Sequence, residues 1–283
     1  MPEDQATAAN SIARGNTHSR RAFLTIVLTA SASPLFAGSS SSKERSYKTG
    51  YSSVLRLGRD IHAALKDEHR EKIAPQPISI ETSDKPFARP MFLQDGEKEV
   101  RGVWISAGFI DLVNQVAHAK AIATQDKNYF RSYAMGLEQE TGDLPLRTLP
   151  DIDEARNWRD EVLNEQQTNF NSIMGMVVGM KLANHYLGHY DKYAEKLEGK
   201  DGREEAINNL LSEKEWMEAF THGVRNAVRA GCMTEGVVPL LEALDRMKVR
   251  PPWAAAFLPD DVKFSSMRKD LESVQRRFLE NKE

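Results

Sequence analysis

The chain has 283 residues, 40% hydrophobic and 28% charged, with a formal net charge of -3. That is ordinary for a globular protein with enough apolar residues for a sizeable core, in one large or two small domains. Lysines and arginines are interspersed with acids, so neither nucleic acid nor an anionic membrane is the expected partner; the only cysteine, Cys232, excludes a disulfide framework and any clustered-cysteine metal site.

The first feature along the chain is HSRRAFLTIVLTASASPLFAGSS, where an arginine pair precedes an apolar run and then small residues. It resembles the twin-arginine export signal S-R-R-x-F-L-K, matched at Ser19, Arg20, Arg21, Phe23 and Leu24, with Thr25 where lysine is usual. The small residues suit cleavage after Ala32 or Ala37. The apolar run falls short of the roughly 20 residues that span a bilayer, and no later segment is longer, so no stable transmembrane span is expected once the signal is removed. The resemblance implies a product delivered folded to the periplasm or another extracytoplasmic compartment. The organisation expected is a signal over 1–37, a flexible Ser-rich linker over 38–50 and one domain over 51–283.

From Ser52 to about Lys72, apolar residues at Val54, Leu57, Ile61 and Leu65 follow helical spacing, with His62 and His69 as exposed or capping residues. Pro75 and Pro77 end that helix, and ISIET reads as a short strand. The turn-rich stretch SDKPFARPMFLQDGEKE leads to a second strand, VRGVWIS, and to a helix over AGFIDLVNQVAHAKAI that carries His118 as a packed or surface residue. Residues 124–168 are polar and read as a helical insertion. A long helix is expected from Asn169 to Leu197, apolar on most sides and therefore buried, with Gly175, Gly179 and Gly188 permitting close approach by neighbours. A further helix from Glu213 to Ala230 ends at Gly231, and another starts near Thr234. The fold class predicted is α+β and mainly helical, a small β-sheet packed with helices.

Within the long helix, KLANHYLGHY sets His185 and His189 four residues apart, which on a continuous helix puts both imidazoles on one face. Zinc peptidases with HExxH use this spacing, with a glutamate as general base where this chain has Tyr186. Together VWISAGFIDLVN, KLANHYLGHY and MEAFTHGVRNAVRAGCMTEGVVPLLEAL resemble the zinc metallopeptidases of the CAAX prenyl protease type. Ala219, Gly223, Ala230 and Gly231 fall at the spacing of that family's later motif. The resemblance implies a metallopeptidase-like core with His185 and His189 at ligand positions, but it aligns Trp216 with the third ligand, a glutamate, and Phe220 with a further acid.

A zinc hydrolase needs about three protein ligands, an open position and a base, and tyrosine, which ionises near pH 10, is a poor base at neutral pH. The reading is an exported metallopeptidase-like protein with a degenerate, non-catalytic site, binding a peptide, a cell-envelope partner or a metal. Two alternatives stand beside it: an active zinc-dependent peptidase that recruits Glu215 or Glu218, and a helical metal or redox carrier built on His185, His189, Glu218 and His222. A shift of two positions from 216 turns a side chain by about 200° around the helix, so Glu218 is expected to face away from the pair.

Overall fold

In the computed structural model, residues 47–95, 98–137, 148–200, 202–259 and 261–280 are described. The twin-arginine-like segment and most of the expected linker lie outside them. The elements in chain order are α1 (Tyr51–Ala64), α2 (Asp67–Arg70), β1 (Ile78–Glu81), β2 (Ala88–Asp95), β3 (Lys98–Ser106), α3 (Ala107–Ile122) and α4 (Tyr129–Leu137). After these come α5 (Asp160–Tyr186), α6 (His189–Ala194), α7 (Arg203–Leu210), α8 (Glu213–Arg229), α9 (Val238–Arg246) and α10 (Phe264–Leu279). The protein is mainly helical α+β, a small three-stranded sheet packed against helices, as its sequence pattern predicts. No helix among the described residues is long and apolar enough to cross a membrane.

The long apolar helix forms the centre. From Phe170 to Tyr186 nearly every residue of α5 is buried, against α3 on one side and α8 on another. A helix apolar on all sides has no solvent face to offer, so it is stable only when surrounded. Small residues set how near α8 comes. A Cβ on Gly223 would stand 2.3 Å from the Met180 backbone nitrogen, and one on Gly179 would stand 2.5 Å from the Gly223 carbonyl oxygen. Cys232 is a buried residue packed near Gly175, and burial pushes its thiol up to about 11.

The sheet has the order β1-β3-β2, with β1 parallel and β2 antiparallel to β3. The β2 strand falls in the stretch whose prolines suggest turns. Pro90 lacks an N–H, but β2 is an edge strand, where a proline leaves no interior ladder donor missing. Ser106 at the end of β3 caps α3 by accepting from the Phe109 N–H at 3.0 Å, so the chain turns directly from the central strand into a core helix.

Three other expectations change. The first helix stops at Ala64, and α2 is a separate short turn. The described part of the polar stretch 124–168 is helical but does not stop at 168: its last nine residues are the opening turns of α5, and it also contributes α4 and a 3₁₀ turn at Ala155–Trp158. The end of the expected linker is packed into the core. Buried Thr49 bonds Asn114, whose amide returns to the Thr49 carbonyl at 3.0 Å, and Gln166 donates to both at 3.1 and 2.9 Å. Alongside, the Tyr47 hydroxyl donates to Nδ1 of buried His118 (3.1 Å), whose Nε2–H donates to the Asn157 carbonyl at 2.7 Å, with Trp158 edge-on to the imidazole.

Candidate functional site

The residues of KLANHYLGHY gather where the C-terminal end of α5 meets the central strand. The helix does not continue to Leu197. It ends at Tyr186, Gly188 adopts φ 80°, and α6 starts afresh at His189. A left-handed residue terminates an α-helix, and glycine takes that conformation without a Cβ penalty. The role of Gly188 is therefore to break the helix rather than to admit a neighbour, and His185 and His189 do not share one helical face.

The two rings consequently meet different surroundings. His185 is fully buried, its Nε2–H donating to the Gly102 carbonyl of β3 at 2.7 Å, with the rings of Phe92 and Tyr190 edge-on at 5.1 and 4.9 Å between centroids. Burial, reinforced by the charges of Arg101 and Lys181, pulls its imidazole down to about 3 and keeps the ring neutral. With the proton on Nε2, Nδ1 presents a lone pair that is buried and has no partner among the described residues. Ligand histidines are commonly pinned by a backbone carbonyl in this way. What His185 lacks is company. The Nδ1 of His189 lies 3.0 Å from the Asn184 Oδ1 and its Nε2 lies 3.3 Å from the Glu218 carboxylate, so both nitrogens are occupied by protein oxygens.

Glu218 therefore faces His189, contrary to the expectation that it turns away from the pair, because His189 leaves the line of α5 at the Gly188 break. His222 pairs with Tyr186 instead. The Asn226 amide donates to the Tyr186 hydroxyl at 2.8 Å, and that hydroxyl donates to Nδ1 of His222 at 3.3 Å. His69 stacks on Tyr186, centroids 3.9 Å apart and rings 7° from parallel. Burial pushes the Tyr186 hydroxyl up to about 12, so it keeps its proton and is no base at neutral pH. It also lowers both His69 and His222.

Glu215 is engaged elsewhere. It forms a capping box with Ser212 at the start of α8 and accepts from Lys192 at 2.7 Å and Tyr193 at 2.9 Å. Against the upward pull of its partial burial, those donors hold the carboxyl down to about 2. A carboxylate so tied is unavailable as a ligand or base. Zinc, which the metallopeptidase resemblance implies, finds no fitting donor set. His185, His189, Glu218 and His222 do not converge, and among the described residues no three His, Cys, Asp or Glu side chains are arranged to share an ion.

The group that sequence reasoning passed over is Lys181, inside the same stretch. It is fully buried, donates to Asn208 Oδ1 at 2.9 Å and lies 5.2 Å from the centroid of the Trp216 ring. Asn208 also accepts from the Tyr190 hydroxyl at 3.1 Å and donates to the Ala88 carbonyl at 3.1 Å, joining α5, α6, α7 and β2. With no carboxylate partner among the described residues, burial drops the ammonium to about 7. The signal was present in the sequence: MVVGMKLANH sets one lysine in an otherwise apolar run. Trp216 and Phe220, which the metallopeptidase resemblance aligns with acids, are both buried, Trp216 beside this amine.

No protein-family model, curated protein or solved structure matches the chain.

Proposed function

We propose that this is an exported, metallopeptidase-like protein that acts by binding and not by zinc hydrolysis, its partner a peptide or a protein of the cell envelope. The observation that carries the reading is the state of His189, both of whose ring nitrogens face protein oxygens while the neighbouring His185 is sealed against β3. A metal shared by the pair would have to bring the buried Nδ1 of His185 to the Nε2 of His189, which faces the Glu218 carboxylate, and so realign the turn at Gly188. Tyr186 and Glu215, the two residues considered for a base, are a protonated phenol and a capped, ion-paired carboxylate.

Export rests on the SRRAFL signal resemblance, which replacement of both Arg20 and Arg21 by lysine tests through loss of the extracytoplasmic protein. The functional reading is tested by metal analysis of protein recovered from its export compartment, together with casein turnover with and without chelator. The expected result is zinc far below one equivalent per chain and no chelator-sensitive turnover. Stoichiometric zinc that disappears in His189→Ala would overturn the reading.

A further inference from the structure

At the C-terminal end of α5 a cleft of about 430 Å³ opens between that helix end, β3 and the turn after α2. Its charged lining is Glu71 and Lys72, Glu99 and Arg101 of β3, and Asp191 of α6; His185 and the backbone turn through Gly188 complete it. We infer that this cleft binds a basic side chain of a peptide, an ammonium or guanidinium group, through its carboxylates and the carbonyl end of α5. The inference rests on the binding reading above and names the chemistry of the partner.

Three observations converge on it. First, the two cations of the lining are already committed. Arg101 bonds Glu99 at 2.9 Å and Asp191 at 2.8 Å, and the Lys72 ammonium donates to the Tyr186 carbonyl at 3.0 Å. Three carboxylates thus stand against two cations in the lining; Glu99 and Asp191 share Arg101, and the Glu71 carboxylate has no partner among the described residues. Second, α5 points its C-terminal end at the cleft, and the negative end of a helix dipole favours cations. Lys72 already occupies one of the terminal carbonyls and shows what kind of group this end accepts. Third, His185 belongs to the wall of the cleft, and its buried Nδ1, without a partner among the described residues, is a pure acceptor because Nε2 holds the proton against Gly102. An N–H donor is what that atom lacks. A bare metal ion does not answer the same description, since these acids do not form a cluster able to share one. The volume suits an organic cation with the chain that carries it.

The experiment is titration calorimetry of the full-length chain with a penta-lysine peptide, with the same peptide acetylated on every amine as the uncharged control. Saturable binding of the charged peptide alone is expected, weakened at least tenfold by Glu71→Lys and several-fold by Glu71→Gln; Glu71 is exposed and unpaired, so both variants keep the fold. Glu161→Lys changes net charge as Glu71→Lys does, but about 35 Å away at the other end of α5, and is expected to leave binding unchanged. Absence of saturable binding, equal binding of the acetylated peptide, or equal weakening by Glu161→Lys would each overturn the inference. Cleavage of the bound peptide that chelator stops would instead overturn the binding-only reading and leave the cleft standing, so the two failures are distinguishable.

Discussion

The two sides of the last turn of α5 use similar residues to different ends. On the sheet side, Lys181, His185, Tyr190 and Asn208 are packed against β2 and β3, with His185 and Lys181 wholly buried. On the α8 side, His69, Tyr186 and His222 form a stacked and hydrogen-bonded group in which both histidines retain contact with solvent. Desolvation is the leading cause of the pKa shifts on both sides, but it is complete on the first and partial on the second. A polar group in the sealed half influences stability strongly through its charge and its single bond. Either histidine of the half-open side can exchange a protein partner for water at little cost.

Breaking the sealed half should have the largest effect. His185→Ala leaves the Gly102 carbonyl without its donor and a void between Phe92 and Tyr190, for an expected loss of about 3–4 kcal/mol in urea unfolding. Lys181→Met is expected to do the reverse. Removing an amine whose charged form is disfavoured by burial should stabilise the protein by about 1–3 kcal/mol at pH 7, while Tyr190 continues to donate to Asn208.

The pH dependence sharpens that contrast. The folded Lys181 binds its proton less tightly than the unfolded chain does. Between about pH 7 and 10.5 the unfolded state therefore holds more protons, and this residue's penalty fades as pH rises. The stability gap between Lys181→Met and the parent should narrow across that window, by at most about 1.4 kcal/mol per pH unit. His185 obeys the same sign rule lower on the scale. Its folded value near 3 against an ordinary 6.5 means that its contribution is lost as pH falls through that interval, a loss absent in His185→Ala.

The half-open side should respond least. Tyr186→Phe strands the Asn226 amide and is expected to cost about 1–2 kcal/mol by thermal or urea unfolding. His222→Ala, which leaves the Tyr186 hydroxyl still accepting from Asn226, should cost less than about 1 kcal/mol. An effect of His222→Ala as large as that of His185→Ala would dissolve the distinction between the two sides.

How much of this was legible in the sequence depends on distance along the chain. The apolar run from Ile173 to Leu187 announces a buried helix through composition alone, and the fold class follows from the run of helical patterns around two β-branched stretches. The third strand was hidden because Pro90 reads as a turn residue until the edge position of β2 is known. The break at Gly188 was hidden because a glycine in a helical pattern also fits close packing, which is its use at Gly179 and not here. That one turn decides the site. It swings His189 off the face of His185 and toward Glu218, so ligand spacing read along a continuous helix no longer applies. The Gly102 carbonyl that holds His185 comes from 83 residues away, and no local pattern encodes such a partner. The lysine within the apolar run was the legible signal that went unused.

The central claim is that protein oxygens, not a shared ion, hold these two imidazoles. Long-range ¹H–¹⁵N spectra of the histidine side chains, recorded before and after one equivalent of zinc, test it most directly. The account predicts that His185 appears as the neutral Nε2–H form at pH 5–7 and that neither His185 nor His189 shifts on adding the metal. A joint displacement of both ring-nitrogen signals, saturating at one zinc per chain, would contradict it.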